Sequence, residues 1–181
     1  MRALAIAVML VAASTADAAP WSFELPEGYT EQPIPEEQLA ELRAQPDTMS
    51  VEVEGYVSSQ AVLTRVTWLI KLDAAATREV IERFDREREQ APIGAANFSV
   101  NRSWVGDQLV VNASADDGEG RHIEQRRVYA LTADGVLHSF SISCFGMRAG
   151  PAACQRAQQT MQLALPNQVG FAASPAEAKP G

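Results

Sequence analysis

Lysine, cysteine and histidine are all scarce in this chain. Among 181 residues there are two of each: Lys71 and Lys179, Cys144 and Cys154, His122 and His138. A zinc site takes several Cys, His or carboxylate ligands on one tetrahedron, so zinc chemistry has almost no material here. No Gly-x-Ser-x-Gly elbow, phosphate-binding glycine loop or His-Glu-x-x-His helix occurs. Those absences remove common signatures of a serine nucleophile, a nucleotide site and a metalloprotease, and no cofactor is expected. Positive charge is also short, with 15 Lys and Arg against 23 Asp and Glu, a formal net charge of −8. Nucleic acid and anionic lipid surfaces both demand a basic face, so neither is expected as a partner. Past the N-terminal residues no apolar run approaches the roughly 20 residues of a bilayer span, and no stable membrane insertion is expected.

The N-terminus carries Arg2, an apolar run over residues 3–13, and a small-residue end at Ala16-Asp17-Ala18. That is the pattern of a secretory signal over residues 1–18, cut before Ala19 so that Pro20 is not the first mature residue. A periplasmic or secreted protein follows. Residues 19–166 are then long enough for a single domain with its own core, and residues 167–181, rich in Ala and Pro, read as a disordered tail. In an oxidising compartment a disulfide is the most economical use of the only two cysteines, Cys144 and Cys154.

Residues 21–29 alternate apolar and polar, then break at Pro26 and Gly28, an opening strand running into a turn. Pro33 and Pro35 introduce a short helix over residues 36–44. From Met49 the period becomes two, with Val51, Val53 and Val57 set against Glu52, Glu54 and Tyr56. The next strand, residues 62–72, has Val62, Val66, Trp68 and Ile70 on one side and a mixed row of Leu63, Arg65 and Thr67 on the other, as a central strand would. Asp73 reads as the N-cap of a helix over residues 74–90, with Val80, Ile81 and Phe84 as its buried stripe. Its outer face pairs Glu79 with Arg83 and Glu82 with Arg86, worth only about 0.3–0.5 kcal/mol apiece, and reads as a solvated charged surface. Strand pattern resumes at Asn97 and runs through turns at Gly106-Asp107, residues 116–120 and residues 133–135. A last helix starts at Pro151 and turns Cys154, Ala157, Met161, Ala164 and Leu165 inward.

The final hairpin can be given a register. A three-residue loop with Gly135 in the left-handed position pairs Thr132 with Val136, Val128 with Phe140 and Arg126 with Ile142. A two-residue turn would set Val128 against Ser141, core against polar. In the preferred register Val128, Phe140 and Ile142 share one face. The other, wetter face holds Arg127, Tyr129, Ser139, Ser141 and Ser143, with Ile123 and Phe145 at its end. His138 falls opposite Ala130, eight residues from His122, on the order of 26 Å, so the two cannot share a metal. The acidic loop over residues 116–119 lacks the ligand spacing of an EF-hand and reads as a solvated hairpin turn, with weak calcium binding left open. Asn97, Asn101 and Asn112 begin sequons that matter only where the host glycosylates.

Hairpins link the last strands and helices interrupt the earlier ones, which gives an α+β fold: an antiparallel sheet of six to seven strands with helices packed on it. Several residues add a resemblance. Phe-x-Leu-Pro-x-Gly-Tyr at residues 23–29, Leu72-Asp73 before a long helix, Arg127-x-Tyr129, the turn at Asp134-Gly135 and a Ser/Phe-rich strand before a C-terminal helix resemble the PsbP-like superfamily. The resemblance covers residues 21–165 and implies an α-β-α sandwich. It also implies a binding or assembly role without a shared catalytic set, its members including an extrinsic photosystem subunit, a Ran-binding nuclear import factor and many exported bacterial proteins. This chain departs from the pattern at Tyr29, where a Trp is usual, and in its cysteine pair. Two readings of function remain. One is an exported, non-enzymatic protein-binding or assembly module of the bacterial cell envelope, with an envelope or extracellular protein as partner. The other is a small-ligand (anion) binder or hydrolase whose cleft lies near Arg102, Arg126, Arg127 and Tyr129, guanidinium groups being suited to grip carboxylate or phosphate.

Overall fold

The computed structural model describes residues 20–72, 75–89, 95–116, 119–147 and 151–171. The expected signal, the proposed cap Asp73, the tip of the acidic loop, the turn at residues 148–150 and the tail past Phe171 lie outside the described residues. In chain order the elements are β1 (Trp21–Ser22), β2 (Thr30–Gln32), α1 (Glu36–Arg43), β3 (Thr48–Val57), β4 (Ala61–Lys71), α2 (Arg78–Glu87), β5 (Ala96–Val105), β6 (Gln108–Asp116), β7 (Arg121–Leu131), β8 (Val136–Met147), α3 (Pro151–Gln159) and β9 (Gln162–Leu163). Seven strands form one sheet in the order β2-β3-β4-β8-β7-β6-β5, and β1 pairs with β9 in a second, small one. Every pairing is antiparallel. The fold is α+β and dominated by its sheet, with three short helices among the described residues.

Period-two alternation splits the sheet's side chains into two faces, each with its own core. On the Phe140 face, Leu63, Val110, Val128, Phe140, Ile142 and Cys144 form one cluster with Cys154 and Ala157 of α3 and Leu163 of β9. Trp21, stacked 5.4 Å from Phe140, and Phe23 pack against its edge. On the opposite, Tyr129 face, Ile70, Leu109, Val111, Tyr129, Leu131 and Leu137 cluster with Ile81 and Phe84 of α2. The β7–β8 register is the one expected: Val128 opposes Phe140, Arg126 opposes Ile142, and His138 opposes Ala130. Gly135 sits at φ +77°, the left-handed position that a three-residue loop requires. Cys144 and Cys154 are bonded across 6.0 Å between Cα atoms, and the Tyr29 hydroxyl lies 3.0 Å from Cys154 Sγ.

Several local features differ from the sequence reading or add to it. The long helix begins at Arg78, with Thr77 in an extended conformation at its N-cap, and Ala76 is buried in the core ahead of it as non-helical chain. Its outer pairing is Glu82 with Arg86 at 2.7 Å, while Arg83 turns to Glu87 instead of Glu79. The last helix stops at Gln159, where the Thr160 hydroxyl donates to the Arg156 carbonyl at 2.8 Å. Met161, Leu163 and Leu165 then follow a period of two, not 3.6, and Gln162 and Leu163 pair with Ser22 and Trp21. On β4 the mixed row is the more buried one: Leu63, Arg65 and Thr67 are buried and Val62 is exposed. Beyond the domain boundary read from sequence, Val169 donates its backbone N–H to Leu131 at 2.8 Å and Phe171 packs edge-on to Trp104 at 5.4 Å.

Candidate functional site

The strand register decides which of the candidate arginines meet. Arg102 on β5 pairs with Val111 on β6, which pairs with Arg127 on β7. Both guanidinium groups therefore leave the Tyr129 face, and Tyr129 stands two residues along the same strand. Arg126 points the other way, where its nearest acceptor is Asn112 Oδ1 at 3.4 Å. Three of the four candidates come together, and what brings them together is a residue that sequence reasoning did not single out.

That residue is Asp85 of α2, whose side chain is wholly buried. Arg102 Nε donates to its Oδ2 at 2.8 Å, and the Tyr129 hydroxyl donates to its Oδ1 at 2.9 Å. Arg127 Nη2 lies 2.9 Å from Oδ1 as an ion pair out of line for a hydrogen bond, while its Nη1 donates to Gln125 Oε1 at 2.7 Å. Arg102 also reaches Glu89, one turn beyond Asp85. Partial burial works against the charge on Arg102, but the hydrogen bonds to Glu89 and Asp85 outweigh it and raise its pKa. Burial, then the Asp85 charge, push the Tyr129 phenol far above its usual value. Two carboxylates and two guanidinium groups cancel, so this cluster offers an incoming anion no net positive charge. Its direct effect is to tie α2 to β5 and β7. The available sequence signal was the spacing: Asp85 follows Phe84 and lies four residues from Ile81, on the apolar stripe of the helix.

A second internal ion pair occupies the Phe140 face. Arg65 is 1% exposed. It binds Glu54 through Nε at 2.9 Å and Nη2 at 2.6 Å, donates from Nη1 to Thr67 at 2.6 Å, and lies 3.7 Å from the centre of the Trp21 ring. The Tyr56 hydroxyl donates to the same carboxylate at 2.5 Å. Burial alone would raise the Glu54 pKa, but the hydrogen bonds from Arg65 and Tyr56 lower it. Burial and Glu54 together push Tyr56 up to about 12. Like the Asp85 cluster, this one is closed on itself.

Two clefts lie near residues of interest. One of about 180 Å³ lies beside Arg127, lined by Phe98, Ala113, Ala115, Ile123, Gln125 and Ser143 among others. Another, of about 780 Å³, is bordered by Pro20, Asp134, His138 and Leu165. His138 Nδ1 is buried without a hydrogen bond, and burial lowers the imidazole pKa against the opposing pull of the Asp134 charge. His122 meets Asp116 at 2.7 Å and Glu124 at 3.4 Å. Among the described residues, no three His, Cys, Asp or Glu side chains are grouped to hold a metal ion. None of their helices is long and apolar enough to cross a membrane.

Among the described residues, α2 covers the Tyr129 face at one end. Cross-strand pairs place Val57, Val62, Phe145, Ile123 and Ala115 in a single row over β3, β4, β8, β7 and β6. None of the five belongs to either core cluster, and Val62 and Phe145 are 36% and 38% exposed. The adjoining row, Gly55, Thr64, Ser143, Gln125 and Ala113, is small or polar and uncharged. The face expected from sequence to be the wetter one is instead buried at Tyr129, Ser139 and Ser141, where α2 packs on it, and carries an apolar band at the end remote from α2.

No family model matches the chain, and no curated protein does, so the PsbP-like resemblance stands on the residues given above alone. Among solved structures, this chain is similar to LpqN, described as involved in cell envelope biogenesis of Mycobacterium tuberculosis. The identity is 12% and the TM-score 0.49, over 80% of this chain and 83% of that one. A likeness of that degree carries no argument about function.

Proposed function

We propose that the protein is an exported, non-enzymatic protein-binding or assembly module of the bacterial cell envelope, and that the open band of the Tyr129 face is its contact surface. The observation that carries this reading is the apolar row across five strands, outside both core clusters, buried at Ala115 and exposed at Val62 and Phe145. Apolar surface arranged contiguously on a folded domain marks a place where another molecule docks. A bonded Cys144–Cys154 pair fits an oxidising compartment. The anion-binding alternative loses support from the same geometry, because Arg102 and Arg127 are neutralised by Asp85 and Glu89 and Arg126 faces away. At the cleft bordered by His138 the Thr132 hydroxyl is held by Asp134 and the Val136 carbonyl, and the reading includes no catalytic step.

The partner this band fits presents an apolar segment without excess negative charge, given the chain's own net charge of −8. Capture from envelope extract tests it. The wild-type protein should retain a stoichiometric partner, and Val62→Ser with Phe145→Ser should release it while leaving thermal unfolding cooperative. Retention by the double variant, or no partner for the wild type, overturns the reading.

A further inference from the structure

The sheet's two edges are built differently. At one end β2 is only three residues long, so little of that edge is open to pairing. At the other end β5 runs for ten residues, Ala96–Val105, and among the described residues no strand lies beyond it. Natural edges of this length are blunted by lysine, proline, bulges or a covering element. β5 has neither Lys nor Pro. Its one irregularity lies at the start, between Ala96 and Ser99, and its one charge, on Arg102, is turned under the sheet onto Asp85 and Glu89. An unprotected edge of this kind pairs with another strand whenever one is available.

The sequence of the edge points to which strand. Read outward from Asn101 in both directions, the regular part of β5 places Ser99 and Ser103 at equal distance on one face, and Val100 and Arg102 at equal distance on the other. Two copies aligned antiparallel about Asn101 therefore oppose serine to serine on the exposed face, a favourable cross-strand combination, and keep the two Arg102 side chains from facing each other. Moving the axis to Arg102 would oppose two guanidinium groups. Ser99, Asn101 and Ser103 are exposed, so nothing described has to move before the strands meet.

We infer that the protein is a homodimer in which β5 pairs with β5 of a second copy, antiparallel about Asn101, to give one continuous fourteen-strand sheet. The C2 axis passes through the paired Asn101 residues, and the interface is isologous as such an axis requires. It lies at the sheet edge, apart from the apolar band proposed above, so the two readings fail independently.

Sedimentation equilibrium on the disulfide-bonded protein tests it, with three chains compared. The wild type should sediment at twice the mass of one chain. Ser99→Lys with Ser103→Lys puts a lysine opposite a lysine twice per dimer, and should raise the dissociation constant by roughly tenfold or more with the circular dichroism spectrum unchanged. Ser99→Glu with Ser103→Lys puts opposite charges at the same places, and should restore the dimer and make it weaken with salt. A monomeric wild type at its highest soluble concentration overturns the inference, whether or not another protein's strand binds the edge. So does a double-lysine variant that dimerises as tightly as the wild type, or a charge-swapped variant no better than the double lysine.

Discussion

Asp85→Asn is the substitution that separates a structural clamp from a ligand site. The side chain is wholly buried, and the two guanidinium groups it serves are only 17% and 14% exposed, so water does not replace the lost charge. Asparagine keeps the shape and still accepts from the Tyr129 hydroxyl. Its amide, however, presents a donor where Arg102 Nε also donates. Removing one partner of a buried ion pair costs about 3–5 kcal/mol, and the lower end applies because Glu89 remains on Arg102. Urea unfolding at neutral pH should therefore show a loss of about 3 kcal/mol, a midpoint about 1.5 M lower for a slope near 2 kcal/mol/M. The orphaned guanidinium groups should also recruit an anion, so sulfate should rescue the variant more than it stabilises the wild type. Arg126→Ala, which removes a hydrogen bond to Asn112 of 3.4 Å and no ion pair given above, should cost less than about 1 kcal/mol. An Asp85→Asn protein within about 0.5 kcal/mol of wild type, with no sulfate effect, would refute the clamp.

Reduction of the Cys144–Cys154 bond, which spans a sequence separation of 10, should lower unfolding stability by about 3 kcal/mol without abolishing the fold, measured by chemical denaturation with and without reductant. A cooperative transition that does not move would show that the bridge constrains nothing the sheet does not. On the alkaline side, the raised Tyr56 pKa means that its contribution is complete below pH 10 and is lost as the pH rises toward about 12. Tyr56→Phe should remove that segment of the stability curve, while thermal scans from pH 9 to pH 12 in the wild type should fall. For Glu54 the sign is opposite: its depressed pKa gives stability that is present above the ordinary carboxylate range and lost as the solution is acidified below it. Glu54→Gln should flatten the acid limb.

The β7–β8 hairpin was legible because two constraints agreed. The loop chemistry at Asp134-Gly135 offered a few registers, and only one kept Val128 opposite Phe140. The helix ends were not, because their stops depend on distant chain. Nothing within residues 151–165 forbids a longer helix. It ends at Gln159 because Gln162 and Leu163 find Ser22 and Trp21 to pair with, a contact between opposite ends of the domain. On β4 the alternation was visible, but the choice of which row goes inside was not. Arg65 is buried because Glu54, on the neighbouring strand in register, and the Trp21 ring are both there to receive it, and pairing across strands is what makes a buried charge affordable.

The candidate site shows the same division between what is local and what is not. Arg102, Arg127 and Tyr129 belong to one face by alternation alone, so their convergence follows from strand register. Whether converging arginines grip a ligand depends on what else faces them. Here that is a carboxylate carried on a helix 17 residues before Arg102, which fills the place a bound anion would take. A cluster of arginines on a sheet is thus no sign of an anion site until the carboxylates on the element above it are placed. In this chain Asp85, next to Phe84 and at the i+4 position of Ile81, was the residue to test first. Once it is assigned to the arginines, the row through Val62 and Phe145 remains as partly exposed apolar surface, and the search for a binding function moves from charge to apolar contact.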